Sequence, residues 1–426
     1  MQRPLSFIAI LFILIFSSPN LQADIDEARA IKYLEEVQKI CRADEEKLWG
    51  IDFCRHTLFI DPSDRSVLGY DLRRNGPIDP SKFTRGYWPD DRPISNTTRF
   101  WKRRQWATIV WPPRGDSVRR SALILHENFH GIQGILPFRV GRPLNTNHLD
   151  DLPGRMSLRM EVAVLAKAIV EDDAEARREL AQLAYEIRTK RLAGDERAVR
   201  AERYWQLYEG IPEYTGHKLT KAGDEFARFI ADRMPDLVAR ETYAHDFAYF
   251  TTPAWGILLD KDNPGWRQKF TGRLDLADTY ADALRIDKRT ISDDEFARLS
   301  APYGYTEAMA FETTRQEVLD AERAGYRARF VEGKVLVLTA SGFRMDPSTM
   351  VSLGSDGRVF QEMEISDDWG SLYATGGAMM GPRPPWIYVE AVEENGNLVL
   401  KNDKWELELN PGWKIVGHER GYTVSR

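Results

Sequence analysis

The chain has 426 residues, 42% of them hydrophobic and 29% charged, which suits two or three ordinary globular domains of about 150 residues each. Its net charge is −6 with acidic and basic residues interspersed, and this excludes nucleic acid as the main partner. Composition leaves an enzyme, a binding protein or a scaffold, so the choice falls to local patterns.

Residues 1–23 have the order of a secretory leader. Arg3 supplies the positive start, Phe7 to Phe16 the apolar run, and Leu21-Gln22-Ala23 a cleavage site before Asp24. The run is shorter than the roughly 20 apolar residues of a membrane span. The expectation is an exported chain, periplasmic or secreted, with no stable span in its mature form. Only two cysteines occur, Cys41 and Cys54. In an exported chain such a pair predicts one disulfide, here tying a first helix to a first strand. That helix is expected over Asp26–Ile40, where Ile31, Leu34 and Cys41 share a side. Thr57–Ile60 and Ser66–Tyr70 read as short strands. Residues 71–98, rich in Gly, Pro, Asp and Arg, read as loop with room for one strand. Trp106–Trp111, β-branched and aromatic, is the clearest strand.

The stretch Ser121 to His130 comes next and contains His126-Glu127-x-x-His130. A helix places both imidazoles on one face, one turn apart, where they can share a metal ion. Leu125, Phe129 and Ile132 repeat on another face that a core would bury, and Asp116 or Ser117 is placed to cap the helix. Glu127, one step round, can deprotonate a metal-bound water. One catalytic Zn2+ wants three protein ligands and an open position. Gln133 and Leu136 stand where the metzincin pattern needs Gly and His, which excludes that pattern. His148 lies in a loop-like segment and reads as a surface histidine. One carboxylate near in sequence is a candidate for the third place, Glu161, whose apolar neighbours Leu158 and Met160 suggest burial with a partner such as Arg159.

Helices are expected over Leu158–Ile169, Ala174–Leu192, Arg197–Glu209, Asp224–Met234 and Ala254–Asp260, forming a bundle behind the metal helix. From Arg327 the pattern changes. Lys334–Thr339, Trp386–Glu390 and Trp405–Leu409 alternate with the period of half-buried strands. Ser355-Asp-Gly-Arg and Glu394-Asn-Gly-Asn are hairpin signals.

The segment Tyr208-Glu209-Gly210-Ile-Pro-Glu213-Tyr214 resembles the gluzincins, the thermolysin-like and alanyl-aminopeptidase-like zinc metallopeptidases. The resemblance implies Glu209 as third ligand and Glu213 as the carboxylate that orients a zinc histidine. It also implies that Tyr249, or His245 one turn earlier, stabilises the oxyanion, and that Trp106–Trp111 pairs with an extended peptide at a sheet edge. The chain departs from the pattern in three ways. The gap between His130 and Glu209 is long. Pro212 stands in the later helix, and Thr251-Thr252 replace Lys-Gly after Tyr249. No Gly-x-Met-Glu-Asn-like strand precedes the metal helix, so aminopeptidase specificity is not implied. The expected class is α+β. Its parts are a leader (1–23), a helix and β-rich part (24–112), a zincin-like helical catalytic domain (113–300) and a β-rich domain (325–426). The expected function is an exported zinc peptidase acting on peptide or protein substrates. The alternatives are a zinc amidase of cell-wall material and a non-catalytic zincin-like scaffold. Oligomeric state, substrate and the purpose of the β-rich domain are not written in the patterns.

Overall fold

Asp26 opens the first helix, α1 (Glu27–Ala43), by accepting a hydrogen bond from the Arg29 N–H at 3.0 Å. The computed structural model describes residues 25–44, 48–136, 138, 140–221, 223–244, 246–346, 349–382 and 386–426. The expected leader and His245 lie outside the described residues. A disulfide joins Cys41 to Cys54 with 5.5 Å between their Cα atoms and ties α1 to the segment entering β1 (His56–Ile60). Then come β2 (Ser66–Asp71), β3 (Thr84–Tyr87), β4 (Thr97–Trp101) and β5 (Arg104–Val110). They form one sheet in the order β3-β2-β1-β5-β4, parallel between β1 and β5 and antiparallel elsewhere.

One expectation is borne out here and one is corrected. The 71–98 region is loop with one strand of its own, β3, and β4 begins only at its last two residues. Both are largely exposed, as sheet edges commonly are, with Tyr87 and Phe100 open to solvent and only Trp101 buried, so the inward-facing apolar alternation that marks a strand is absent. The strand at Trp106–Trp111, expected to offer an edge, is instead interior as β5, hydrogen-bonded on both sides by β1 and β4. β4 is the free edge on that side.

α2 (Ser117–His130) is capped by Asp116, which accepts from the Arg119 N–H at 2.8 Å, and it packs against β4 and β5. A helical bundle comes after it: α3 (Leu152–Ala168), α4 (Ala174–Leu192), α5 (Glu196–Trp205), α6 (Ile211–Thr220), α7 (Gly223–Val238) and α8 (Ala248–Asp262). Two glycines set how closely its central helices meet. A Cβ at Gly216 of α6 would lie 2.4 Å from the Ala122 carbonyl oxygen of α2, and one at Gly256 of α8 would lie 2.4 Å from the Tyr214 ring. Substitution at Gly216 forces α6 away from α2, which carries His126 and His130, and substitution at Gly256 forces α8 away from α6.

The chain divides into two compact units, the first ending at Thr306 and the second spanning Glu307–Arg426. The second is helical as far as Glu332 and β-rich beyond it. Four of its described strands pair in one sheet and seven in another, and Leu336, Leu338, Ile365, Trp369, Leu372 and Trp405 belong to its core. Asn395 and Gly396 both take positive φ between two short paired strands, as a two-residue hairpin turn requires. Among the described residues no helix is long and apolar enough to cross a membrane.

Candidate metal centre

On α2, His126 and His130 project side by side, with their Nε2 atoms 3.2 Å apart. The Glu209 carboxylate meets them from 83 residues beyond His126, its Oε2 3.2 Å from His126 Nε2 and 3.6 Å from His130 Nε2. These three residues are the group able to hold a metal ion among the described residues, one ligand atom from each lying within 4.8 Å of the others.

Glu209 reaches this place because the chain between α5 and α6 is one continuous rod with a wide π turn at Gln206–Gly210, closed by the Ile211 N–H on the Gln206 carbonyl. Such single π turns cluster at functional sites. Pro212, early in α6, has no N–H, so the carbonyls of Leu207 and Tyr208, five and four residues back, lose their usual donor. Gln133 replaces it. Its side-chain Nε2 donates to both carbonyls, at 3.0 and 2.9 Å. Gly210 completes the turn, because a Cβ there would lie 2.1 Å from Thr252 Oγ1 of α8. That close approach brings Tyr249, in the first turn of α8, to Glu209.

Both imidazoles have their outer nitrogens occupied. Glu213, one turn beyond Glu209, places Oε2 3.2 Å from His126 Nδ1. The Gln133 amide has both hydrogens committed to carbonyls, so its Oε1 faces His130 Nδ1 at 2.9 Å and accepts from it. Each Nδ1 therefore carries the hydrogen and each Nε2 presents a lone pair. With both rings neutral, two lone pairs and a carboxylate oxygen at these separations repel one another, so a cation, either a metal ion or a proton, must lie among them. This donor set, two imidazoles and one carboxylate with oriented outer partners, fits Zn2+. The electrostatics agree. Burial alone pushes the His126 imidazole down, but Glu209 and then Glu213 outweigh it and hold it up at about 10, the mark of a site that demands positive charge.

Glu213 is itself held. Its Oε1 lies 3.1 Å from His217 Nε2 and accepts from Arg233 Nη1 at 3.0 Å. Burial would raise its carboxyl, yet His217 and His126 keep it well below the usual range. Glu127 is buried, and its Oε2 has no hydrogen-bond partner among the described residues. Burial raises its carboxyl above the ordinary range, partly opposed by the two histidines. The Tyr249 hydroxyl donates to Glu209 Oε2 at 2.7 Å, and its ring stacks on His126 with 6° between planes.

The fold thus brings together His126, Glu127, His130, Glu209, Glu213 and Tyr249. It does not bring Glu161 or His148 to them. Glu161, on α3, pairs with Arg191 of α4 at 2.7 Å, where Arg159 was the expected partner. His148 pairs with the buried Glu202 at 3.0 Å. Sequence reasoning missed Gln133, His217 and Arg233. The Glu213-x-x-x-His217 spacing carried a signal for His217, since it puts both on one helix face. Nothing local marked Gln133 or Arg233. Compared with known proteins, the chain matches no family model, no curated protein and no solved structure.

Proposed function

We propose that the chain is an exported, zinc-dependent peptidase. The observation that carries the reading is the convergence of two oriented imidazoles and the Glu209 carboxylate beside a buried carboxylate, Glu127, with an oxygen left free. The disulfide supports export, since such bonds persist in oxidising compartments. His126, His130 and Glu209 would hold zinc, which would supply Lewis acidity to lower the pKa of a water toward about 7 and polarise a carbonyl.

The chain's own groups do the rest. Glu127 Oε2 takes a proton from the attacking water and passes it to the leaving amine, a task its raised carboxyl pKa suits. Glu213 and Gln133 keep both rings in the ligating tautomer. Tyr249 orients Glu209 in the resting site, and its hydroxyl is the donor for the developing oxyanion, worth about 3 kcal/mol for one such group. β4, as a free edge beside α2, accepts an extended peptide by strand addition. The test is Glu127→Gln. It keeps zinc and removes the proton acceptor, so peptide turnover falls to background while metal content is unchanged. Undiminished turnover in that variant refutes the mechanism.

A further inference from the structure

We propose that a pocket at the C-terminal end of α2, beside the candidate metal centre, binds a carboxylate of the substrate. The inference deepens the peptidase reading and rests on it for the identity of the ligand's carrier. The cavity is about 370 Å³ and lies where β1, β4 and β5 meet α2. Arg55, Arg73 and Arg104 line it together with Thr98, Ala107 and Asn128, and none of its lining residues is acidic. Arg73 is engaged by Asp71 at 2.9 Å, and Asp52 stands 3.8 Å from Arg55. Arg104 is exposed at the rim and has no carboxylate partner among the described residues. Burial, joined by these three guanidiniums, outweighs Asp71 and holds His56 beside them below its usual range.

The second observation is an orphan donor. Asn128 is fully buried, its Oδ1 accepts from Thr57 Oγ1 at 3.3 Å, and its Nδ2 has no partner among the described residues. A buried amide N–H left unpaired in a folded chain calls for an explanation. An anion in the pocket supplies one, since a carboxylate accepts from an amide and guanidiniums at once.

Position ties the pocket to the reaction. Thr98 Oγ1 donates to the carbonyl of Glu127 at 3.1 Å, so the pocket wall touches the peptide unit of the general base. Thr98, Ala107 and Thr57 lie in one cross-strand row, which Thr98 and Thr57 turn toward α2. A peptide added at the β4 edge extends that row, and every second side chain of it is directed to the same face. Ala107, small and central in the row, leaves the room. The carboxylate comes either from an acidic side chain or from the chain terminus of the substrate.

The experiment uses the full chain as its Glu127→Gln variant with zinc added, so that binding is read without cleavage. Peptides carrying one Glu at successive positions are titrated calorimetrically against twins with Gln there, and each is made with a free or an amidated C-terminus. The expected result is at least tenfold tighter binding of one acid over its neutral twin. A Glu/Gln difference assigns the side chain, and a free/amidated difference assigns the terminus. In Arg55→Gln/Arg104→Gln the preference falls below twofold. Should that double variant fold poorly, the single exposed Arg104→Glu reverses the preference. Equal binding of every acid and its twin overturns the proposal, as does a preference that both Arg variants retain. Cleavage by the unsubstituted chain is followed separately. Absence of cleavage refutes the peptidase reading and leaves the binding comparison standing, whereas cleavage with no acid preference refutes only the pocket.

Discussion

Gln133→Leu tests whether the tautomer of His130 is set from outside the metal. The substitution keeps the side chain's bulk and removes three hydrogen bonds, from His130 Nδ1 and to the Leu207 and Tyr208 carbonyls. Removing a partner that orients a ligating histidine weakens metal binding by about 10–100-fold, or about 1.4–2.7 kcal/mol. The two carbonyls add a separate cost of about 1–3 kcal/mol each in stability, lowered where water reaches them. Gln133→Glu divides the two effects. A carboxylate still accepts from His130 but cannot donate to the carbonyls, so zinc affinity stays near the unsubstituted value while stability falls. Affinity is read by competition with a chromophoric chelator, and stability by urea unfolding of the metal-free chain. Zinc affinity of Gln133→Leu within twofold of the unsubstituted chain would refute the reasoning.

Tyr249→Phe removes the hydroxyl from Glu209. With zinc saturating, kcat is expected to fall about 100-fold with KM little changed, and an unchanged kcat takes Tyr249 out of the chemistry. Cys41→Ser opens a loop of 13 residues' separation and is expected to cost about 3 kcal/mol in urea unfolding. Equal stability of the variant and the reduced and oxidised chains would contradict this. Burial would raise the Glu202 carboxyl, but Arg191 and His148 outweigh it and depress it far below the ordinary range. A depressed carboxyl contributes stability that is complete above the unfolded pKa of about 4.3 and is lost as pH falls below it. Glu202→Gln should therefore lose about 3–5 kcal/mol at neutral pH and show a shallower decline between about pH 5 and 3. Identical pH profiles would refute the assignment.

The helix α2 was legible because its information is local. A cap, an apolar face and two histidines one turn apart all fall between Asp116 and His130. Strands in the second unit were legible for the same reason, since alternation in Trp386–Glu390 and Trp405–Leu409 is a short-range pattern. Pro212 stood out as a departure, but its role could not be read. A proline in a helix frees carbonyls, and only the fold reveals that Gln133 answers them. The edge strand was hidden by the opposite rule. β4 is largely exposed because it is an edge, so no inward-facing alternation marks it, whereas β5 advertises itself because it is buried on both sides. Glu161 was a fair rival to Glu209 on burial alone. Its answer lay in Arg191, which sequence distance does not rank above Arg159.

A cation shared by His126, His130 and Glu209 underlies every catalytic role proposed for this chain, and zinc content with X-ray absorption on the purified protein measures it without recourse to a substrate. One zinc per chain is expected, with two imidazole nitrogens at about 2.0–2.1 Å and a carboxylate oxygen. The oxygen signal should change in Glu209→Ala and be retained in Glu161→Ala. A zinc-supplemented chain that holds no stoichiometric metal, or a spectrum indifferent to Glu209, would contradict the shared cation.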